Sequence, residues 1–338
     1  MSFPKSGAPG MDPERCVAAI SPLSTCDICI GACPTGAWSL TDRQPELDEN
    51  ACDGCGICIA ACPQDALSIA AWVDVRRSRA GLLAMAACMR VAPFDAEGTI
   101  PCLHALGYRQ IQALRARGIG ELHVRCADCE ECPRGRAVAD SGGTTIVEAV
   151  KMAAGLMADT GEKPLTLHWP DAARWQRLAE YSESFDGSVT SRRGLWRRLV
   201  GDSAPDGARS AMEPPTGERL VAFSPGIDPA QCEACGICAT LCPTGAITNI
   251  QDERIHAYRI EPALCSGCNL CLDVCDSDAI EIVEWTRAQP SLVELEGRRC
   301  GSCDAEFQAP QGQEDAGNCP VCRRRPRPSP RYPVVMDD

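Results

Sequence analysis

Cysteine is the residue type through which this chain could do most of its chemistry. Twenty-five of the 338 residues are cysteine, and most of them recur at C-x2-C or C-x3-C spacing. Disulfides are rare in a reducing cytosol, where closely spaced thiols more often bind metal. The first 20 residues contain no apolar run of the kind found in secretion signals. We therefore expect a cytoplasmic location, and we interpret the cysteines as metal ligands.

The strongest pattern is C-x2-C-x2-C-x3-C, which occurs three times without interruption. The three runs are Cys52, Cys55, Cys58 and Cys62; Cys232, Cys235, Cys238 and Cys242; and Cys265, Cys268, Cys271 and Cys275. A 4Fe–4S cubane presents iron at the corners of a tetrahedron, and such a tight loop can wrap three of those corners. Zinc also binds C-x2-C pairs, but three uninterrupted runs favour iron–sulfur clusters. Proline follows the last cysteine in the first two runs, whereas Asp276 replaces it in the third.

A fourth copy of the repeat lacks its first cysteine. It retains Cys26, Cys29 and Cys33. Leu23 stands where the missing thiol should be, and Cys16 lies ten residues before Cys26. We expect a longer loop to deliver Cys16 to the vacant corner, with a three-cysteine cluster and an open iron as the alternative. The copies form two pairs, one before residue 72 and one between residues 232 and 284, so the chain contains a duplicated two-repeat unit.

Residues 12–72 and 224–286 resemble bacterial dicluster ferredoxins. The resemblance implies crossed ligation, in which the fourth cysteine of each repeat serves the cluster of the other repeat. For the first module, the implied ligand sets are Cys16, Cys26, Cys29 and Cys62, and Cys52, Cys55, Cys58 and Cys33. For the second module, they are Cys232, Cys235, Cys238 and Cys275, and Cys265, Cys268, Cys271 and Cys242. The resemblance thus implies four 4Fe–4S clusters.

The segment between the two pairs has the pattern of a parallel α/β domain. Strands are predicted from apolar runs or alternation at residues 80–88, 98–103, 121–126 and 164–169. Helices are predicted over residues 104–118 and 144–161, each ending at a glycine. In a parallel sheet the carboxyl ends of the strands share one edge, which is where such folds bind ligands.

Five further cysteines lie at or beside the predicted strand ends: Cys88, Cys102, Cys126, Cys129 and Cys132. We expect them to converge on one more iron–sulfur cluster, with buried or redox-inert thiols as the alternative. The favoured ligands are Cys102, Cys126, Cys129 and Cys132, with Cys88 as the substitute. Residues 82–180 loosely resemble the iron–sulfur delta subunit of methyl-viologen-reducing hydrogenases, whose cluster is of the 2Fe–2S type. The cysteine spacing here departs from that family, so both 2Fe–2S and 4Fe–4S stay open.

A separate cysteine pattern follows the second module. Cys300, Cys303, Cys319 and Cys322 form C-x2-C-x15-C-x2-C. Two turns that each offer two thiolates predict one tetrahedral zinc ion, held by zinc-ribbon-like knuckles. Rubredoxin-like iron in the same geometry is the alternative.

The predicted fold is therefore two α+β ferredoxin-like dicluster modules that flank a small parallel α/β domain, with zinc-ribbon-like knuckles at the C-terminal side. The predicted divisions are modules at residues 1–75 and 223–290, the α/β domain at 76–185, a linker at 186–222, the zinc ribbon at 291–323, and a disordered basic tail at 324–338. Within the linker, residues 191–201 are interpreted as a basic amphipathic helix.

Charge and missing motifs narrow the function. The formal net charge is −13, and each 4Fe–4S cluster with its thiolates adds about −2. This negative charge opposes nucleic-acid binding and favours protein partners with basic patches. The sequence contains no 18-residue apolar stretch and no glycine-rich nucleotide motif. The four histidines, His104, His123, His168 and His256, are interpreted as scattered structural residues, although His104 and His123 could tune the central cluster.

These observations predict a non-catalytic electron-transfer subunit that relays single electrons within a larger cytoplasmic redox complex. One alternative is an oxidoreductase subunit whose central cluster binds substrate. Another is a redox-dependent scaffold or sensor.

Overall fold

The computed structural model describes residues 7–69, 73–92, 98–184, 217–252, 255–313 and 317–324. The chain divides into two compact units, Met1–Pro215 and Thr216–Asp338. The first dicluster module and the α/β domain therefore share one unit, and the second module and the knuckles share the other. The amphipathic helix predicted at residues 191–201 and the tail from residue 325 lie outside the described residues. Within the described ranges, no helix has both the length and the apolar character needed to cross a membrane.

The first unit combines short helices and strands at its start with longer elements in its second half. Its helices are α1 (Val17–Ile20), α2 (Ile28–Gly31), α3 (Ile57–Ala61), α4 (Tyr108–Ala116), α5 (Pro133–Asp140), α6 (Ile146–Ala158) and α7 (Ala172–Tyr181), with a 3-10 turn at Leu103–Ala105. Its strands are β1 (Gly10–Met11), β2 (Trp38–Thr41), β3 (Gln44–Leu47), β4 (Leu67–Ser68), β5 (Asp74–Ser78), β6 (Gly81–Cys88), β7 (Thr99–Ile100), β8 (Ile119–Arg125), β9 (Thr166–His168) and β10 (Glu183–Ser184).

Each tight cysteine loop leads into a helix of one turn. In the first module Gly56 precedes α3 with a φ of 76°, a left-handed conformation that glycine adopts without steric cost. β1 pairs antiparallel with β4, and β2 pairs antiparallel with β3. A small core around Trp38 and Ile59 includes the thiol of Cys58, so the cysteine loops form part of the module's interior.

The central sheet has the strand order β10-β5-β6-β8-β9, with β7 beside β6. β6 runs parallel to β7 and β8, and β8 runs parallel to β9, as the sequence predicted. β5 and β10, which were not predicted, join antiparallel, so the sheet is mixed and only its four predicted strands are parallel. The sequence of β5 hides this strand because its buried Arg76 is polar. The guanidinium of Arg76 donates to the backbone oxygens of Ala179 and Ser182, where α7 ends.

The strand predicted at residues 98–103 is shorter than expected. β7 includes only Thr99 and Ile100, and the chain turns into a 3-10 helix directly after Cys102. On β8, Leu122 and Val124 are fully buried in a core that also contains Ile111 of α4 and Ala149 of α6. Burying a side chain of leucine size stabilises the fold by roughly 1.5–3 kcal/mol. This packing holds the sheet and its helices rigidly behind the cysteine-bearing loops.

The second unit is built mainly from antiparallel strands. Its strands are β11 (Arg219–Ile227), β12 (Ile247–Gln251), β13 (His256–Ile260), β14 (Ile280–Ala288), β15 (Ser291–Arg299) and β16 (Glu306–Pro310). Its helices are α8 (Ile237–Leu241), α9 (Leu270–Asp273) and α10 (Pro320–Arg324), with a 3-10 turn at Pro262–Leu264. Because β11 begins at Arg219, the last residues of the predicted linker belong to the module instead.

Two sheets organise this unit. β11 pairs with β14 along most of their length, and β12, β13, β15 and β16 form a four-stranded antiparallel sheet. β13 belongs to the ferredoxin-like module and β15 to the predicted ribbon, and Tyr258 of β13 lies opposite Val293 of β15. The knuckles are therefore joined to the module by a continuous sheet rather than following it as a separate domain.

Candidate iron–sulfur and metal sites

The first module brings Cys16 to the degenerate repeat. Cys16, Cys26, Cys29 and Cys62 line one largely apolar cavity of about 410 Å³. Cys16 immediately precedes α1, whereas Leu23 is largely exposed. The structure thus places the Cys16 thiol in the same cavity as Cys26 and Cys29 of the repeat that lacks its first cysteine.

The other cysteines of this module lie around the loop before α3. The thiol of Cys33 is close enough to Cys52 and Cys58 to raise the pKa of each, although burial is the main cause for both. Burial raises the pKa of Cys58 to about 11. Burial also raises the pKa of Cys55. The carboxylate of Asp53 raises this pKa further, whereas the guanidinium of Arg134 lowers it.

Clustering of thiols affects how they bind metal. Burial and the neighbouring thiols Cys26, Cys58, Cys62 and Cys16 raise the pKa of Cys29 to about 12. Such a thiol is protonated near neutral pH, so a metal ion must displace its proton. The bound cation then offsets the repulsion between neighbouring thiolates, which is one of the causes that raise the pKa of Cys29.

The second module separates its eight cysteines into two cavities. Cys232, Cys235, Cys238 and Cys275 line one cavity of about 310 Å³. Cys242, Cys265, Cys268 and Cys271 line another of about 320 Å³. The last cysteine of each run thus lies with the first three cysteines of the other run, which is the crossed grouping that the ferredoxin resemblance implied.

The five central cysteines also converge. Cys88, Cys102, Cys126, Cys129 and Cys132 line a single cavity of about 280 Å³, together with Arg90 and His104. Cys88 and Cys102 approach it from the ends of β6 and β7, Cys126 from the end of β8, and Cys129 and Cys132 from the loop before α5. His104 therefore lies beside these thiols, as predicted.

The thiols of the central cavity differ in acidity. Burial raises the pKa of Cys102 to about 12 and that of Cys129 to about 11. Burial alone would also raise the pKa of Cys132, but hydrogen bonds from the Gly135 amide and the Arg90 side chain lower it. Cys132 immediately precedes α5, where the amides of a helix N-terminus favour a thiolate.

A buried contact joins the first module to the central cavity. Cys55, Ile57, Cys102 and Val138 pack together in one apolar group. Arg134 of α5 is 3% exposed, and its Nε donates to Asp53 Oδ2 at 2.7 Å while its Nη1 donates to Pro101 O at 2.8 Å. This side chain therefore ties the loop that bears Cys55 to the segment that bears Cys102.

The four C-terminal cysteines meet at one point. The sulfur atoms of Cys300, Cys303, Cys319 and Cys322 all lie within 4.8 Å of one another. Four sulfurs around a tetrahedral zinc ion are about 3.8 Å apart, given a Zn–S bond of about 2.3 Å. A hydrogen bond from the Cys319 amide lowers the pKa of Cys300 to about 6, whereas hydrogen bonds with Cys303 and Cys319 raise that of Cys322 to about 12. The arrangement fits a single tetrahedral ion.

The knuckles contact the loops of one cysteine set. Arg324 donates to Glu233 Oε2 at 2.6 Å and to Asp276 Oδ2 at 2.9 Å. These carboxylates directly follow Cys232 and Cys275, which line the same cavity. Gln313 donates to the backbone oxygens of Ala230 and Cys232. The knuckles therefore hold both loops at one side of that cavity.

Glu121, His123 and His168 form a group that the sequence interpretation did not include. His123 and His168 do not stand apart, since their rings stack at 4.6 Å beside Glu121. His123 is not among the residues that line the central thiol cavity, so its tuning of the central cluster stays a prediction. The available signal was the Leu-His pair repeated in the two alternating segments that form β8 and β9.

Comparison with protein families agrees with two of these regions. Residues 45–68 match the 4Fe-4S binding domain, and residues 231–280 match the 4Fe-4S dicluster domain. The second match includes all eight cysteines of the second module, while the degenerate repeat that contains Cys26 lies outside both matches. No curated protein matches the chain closely enough to count as a relative. The chain thus contains ferredoxin-type 4Fe–4S domains in two separate regions, and domains of this kind suggest a role in electron transfer.

Proposed function

We propose that this chain is an electron-transfer subunit that relays single electrons within a larger cytoplasmic redox complex. Four 4Fe–4S clusters would occupy the crossed cysteine sets, and one further iron–sulfur cluster would occupy the central cavity. Shared cavities support three of the four crossed sets and the central site. The effect of Cys33 on Cys52 and Cys58 supports the remaining set.

The buried group that contains both Cys55 and Cys102 carries the proposal. Cys55 belongs to a proposed 4Fe–4S ligand set, and Cys102 is a favoured ligand of the central cluster. Both belong to one packed group with Ile57 and Val138, so the two clusters would lie near each other. Because electron tunnelling slows steeply with distance, this proximity favours transfer between the two centres. A set of independent metal sites would not require it.

The central cluster would be ligated by Cys102, Cys126, Cys129 and Cys132, with Cys88 as a fifth thiol in the same cavity. Both 2Fe–2S and 4Fe–4S stay open as its type, since four thiolates can ligate either cluster. Five thiols exceed the four that either cluster needs. This surplus supports a fully ligated electron-transfer centre over a cluster with an open iron for substrate.

The knuckles would hold zinc as a structural ion and support docking to a protein partner. Zinc does not change its oxidation state, so the ion should survive treatment with dithionite unchanged. A rubredoxin-like visible spectrum from this site would instead show iron, and the relay would then extend to the knuckles.

The proposal is tested with the full-length protein purified without oxygen. Four cubanes require about 16 iron atoms per chain, and the central cluster adds about two to four. A double variant, Cys102→Ser with Cys88→Ser, removes a favoured ligand together with its substitute, so it should lose only the central cluster and should slow electron transfer across the first unit. Fewer than about 12 iron atoms in the wild type, or an unchanged iron content and spectrum in the variant, would contradict it.

The two alternative functions predict different behaviour. An electron carrier accepts several electrons reversibly in the absence of substrate. A substrate-binding central cluster would change its EPR signal when the substrate is added, and a sensor would change its affinity for a partner with redox state.

A further inference from the structure

The group formed by Glu121, His123 and His168 lies on two neighbouring strands of the central sheet. β8 and β9 run parallel, and His123 is in register with His168, as Glu121 is with Thr166. Residues in register on adjacent strands point to the same face, and adjacent strands lie about 4.8 Å apart. Glu121 and His123, two positions apart on β8, share that face as well. The register therefore forces two imidazoles and one carboxylate together.

The distances within this group suit shared ligation of an ion. Nε2 of His123 lies 2.9 Å from Oε2 of Glu121, and Nε2 of His168 lies 3.8 Å from the same oxygen. One ligand atom from each of the three residues lies within 4.8 Å of the others. Ligand atoms bound at about 2.1 Å to one tetrahedral ion are about 3.4 Å apart. The two measured separations lie on either side of that value.

Burial and charge also favour a cation at this place. His123 is 1% exposed, whereas His168 and Glu121 have 30% and 45% of their side chains exposed. His123 thus provides a buried ligand, whereas the exposed sides of His168 and Glu121 leave access for an ion and its waters. The carboxylate of Glu121 lies 2.9 Å from Nε2 of His123 and supplies a negative charge beside the two imidazoles.

We propose that Glu121, His123 and His168 bind one divalent first-row transition-metal ion of the kind that zinc and ferrous iron represent. The ligand set of two imidazoles and one carboxylate suits these ions, while calcium and magnesium prefer oxygen ligands alone. Water completes the coordination on the exposed side. The site contains no thiol, and its ion would link the edge strand β9 to β8. This inference goes beyond the proposed relay and does not depend on it.

The test uses the full-length protein with its clusters and knuckle metal in place, after a mild chelator has removed weakly bound ions. Calorimetric titration with Zn²⁺ should show one further equivalent in the wild type. His168→Asn and Glu121→Gln should each weaken that binding by at least about tenfold. His256→Asn is the matched control, because His256 contacts Gln308 in the second unit and should leave the titration unchanged.

A second probe identifies the ligand atoms. Co²⁺ bound to the oxidised protein should give an EPR signal and visible bands of nitrogen and oxygen coordination, without sulfur-to-cobalt charge transfer. Equal binding by the wild type, His168→Asn and Glu121→Gln would overturn the proposal, as would the lack of a further equivalent at about 1 mM Zn²⁺. If His168→Asn loses its folded circular dichroism spectrum, Glu121→Gln decides the question, since its side chain is half-exposed and keeps its shape.

Discussion

Arg324 of the knuckles donates a hydrogen bond of 2.9 Å to Asp276, the residue that replaces proline after Cys275. The other two complete repeats have proline at the equivalent position, after Cys62 and Cys242. Proline has no side-chain acceptor, so the exchange creates a contact that those repeats cannot make. The departure from the repeat pattern is therefore explained by the docking of α10 against the loop of Cys275.

Replacing Arg324 by alanine should make the cluster proposed for Cys232, Cys235, Cys238 and Cys275 harder to reduce. The guanidinium lies beside both loops of this set, and a nearby positive charge stabilises the more negative reduced cluster. The shift should be small, because the arginine is half-exposed and its charge is screened. A potentiometric EPR titration measures it.

Arg299→Ala is the matched control for this variant. Arg299 lies in the same knuckle region, directly before Cys300, and its partners are Asp304 and Glu306 rather than the carboxylates beside Cys232 and Cys275. Its removal should leave all cluster potentials unchanged. Equal potentials in Arg324→Ala and the wild type would show that the contact has no effect on the cluster.

Gly135→Ala should disrupt the central site selectively. A Cβ atom at Gly135 would lie 2.0 Å from the backbone oxygen of Cys129, which leaves no room for it. The loop or α5 must therefore move, at a cost of roughly 1–3 kcal/mol, and the thiols of Cys129 and Cys132 would move with it. We expect the loss of about two to four iron atoms per chain, measured by iron analysis and Mössbauer spectroscopy.

Gly120→Ala provides the comparison, because a Cβ atom at Gly120 meets nothing within 4 Å. It should keep the full iron content. If Gly135→Ala also retains all iron and the wild-type spectrum, the central thiols do not hold a cluster in this arrangement.

Arg134→Met should destabilise the first unit strongly. It leaves the carboxylate of Asp53 without its partner at 2.7 Å, and removing one member of a buried ion pair costs about 3–5 kcal/mol. The junction between Cys55 and Cys102 should loosen as well. Denaturant unfolding monitored by circular dichroism measures the first effect, and the rate of electron transfer within the first unit measures the second.

The double variant Arg134→Met with Asp53→Asn should recover part of this loss, because it no longer leaves a charge unpaired. Arg115→Met, at an exposed arginine that donates to the backbone of Lys163, should change stability little. Equal stability of Arg134→Met and Arg115→Met would contradict a structural role for the junction.

Zinc binding to the knuckles should become tighter as pH rises from 7 to 9. The pKa of Cys322 is raised to about 12 and that of Cys300 is lowered to about 6. In this window Cys300 is already ionised, whereas Cys322 must lose a proton when the metal binds. We expect at least one proton released per zinc ion, measured by calorimetry in buffers of different ionisation enthalpy. A pH-independent affinity without proton release would contradict this.

The cysteine groupings of the second module show what the sequence determined. The spacing within C-x2-C-x2-C is a local property, because a few covalent links limit where three thiols can point. The crossed position of Cys242 and Cys275 was implied by the resemblance to dicluster ferredoxins, and the structure groups these thiols in that way. The parallel strands β6, β8 and β9 were likewise predictable from the sequence, because apolar runs and apolar-polar alternation reflect burial of side chains on a sheet.

Contacts between distant polar residues were decided only by the tertiary structure. Arg134 and Asp53 are 81 positions apart, and the pattern around each gives no sign of the other. The same holds for Arg76 in the unpredicted strand β5 and for the stacking of His123 on His168, which depends on strand register. A polar side chain can be buried only where partners from other segments meet it. Those partners are brought together when the sheet and helices pack, so local sequence cannot reveal them.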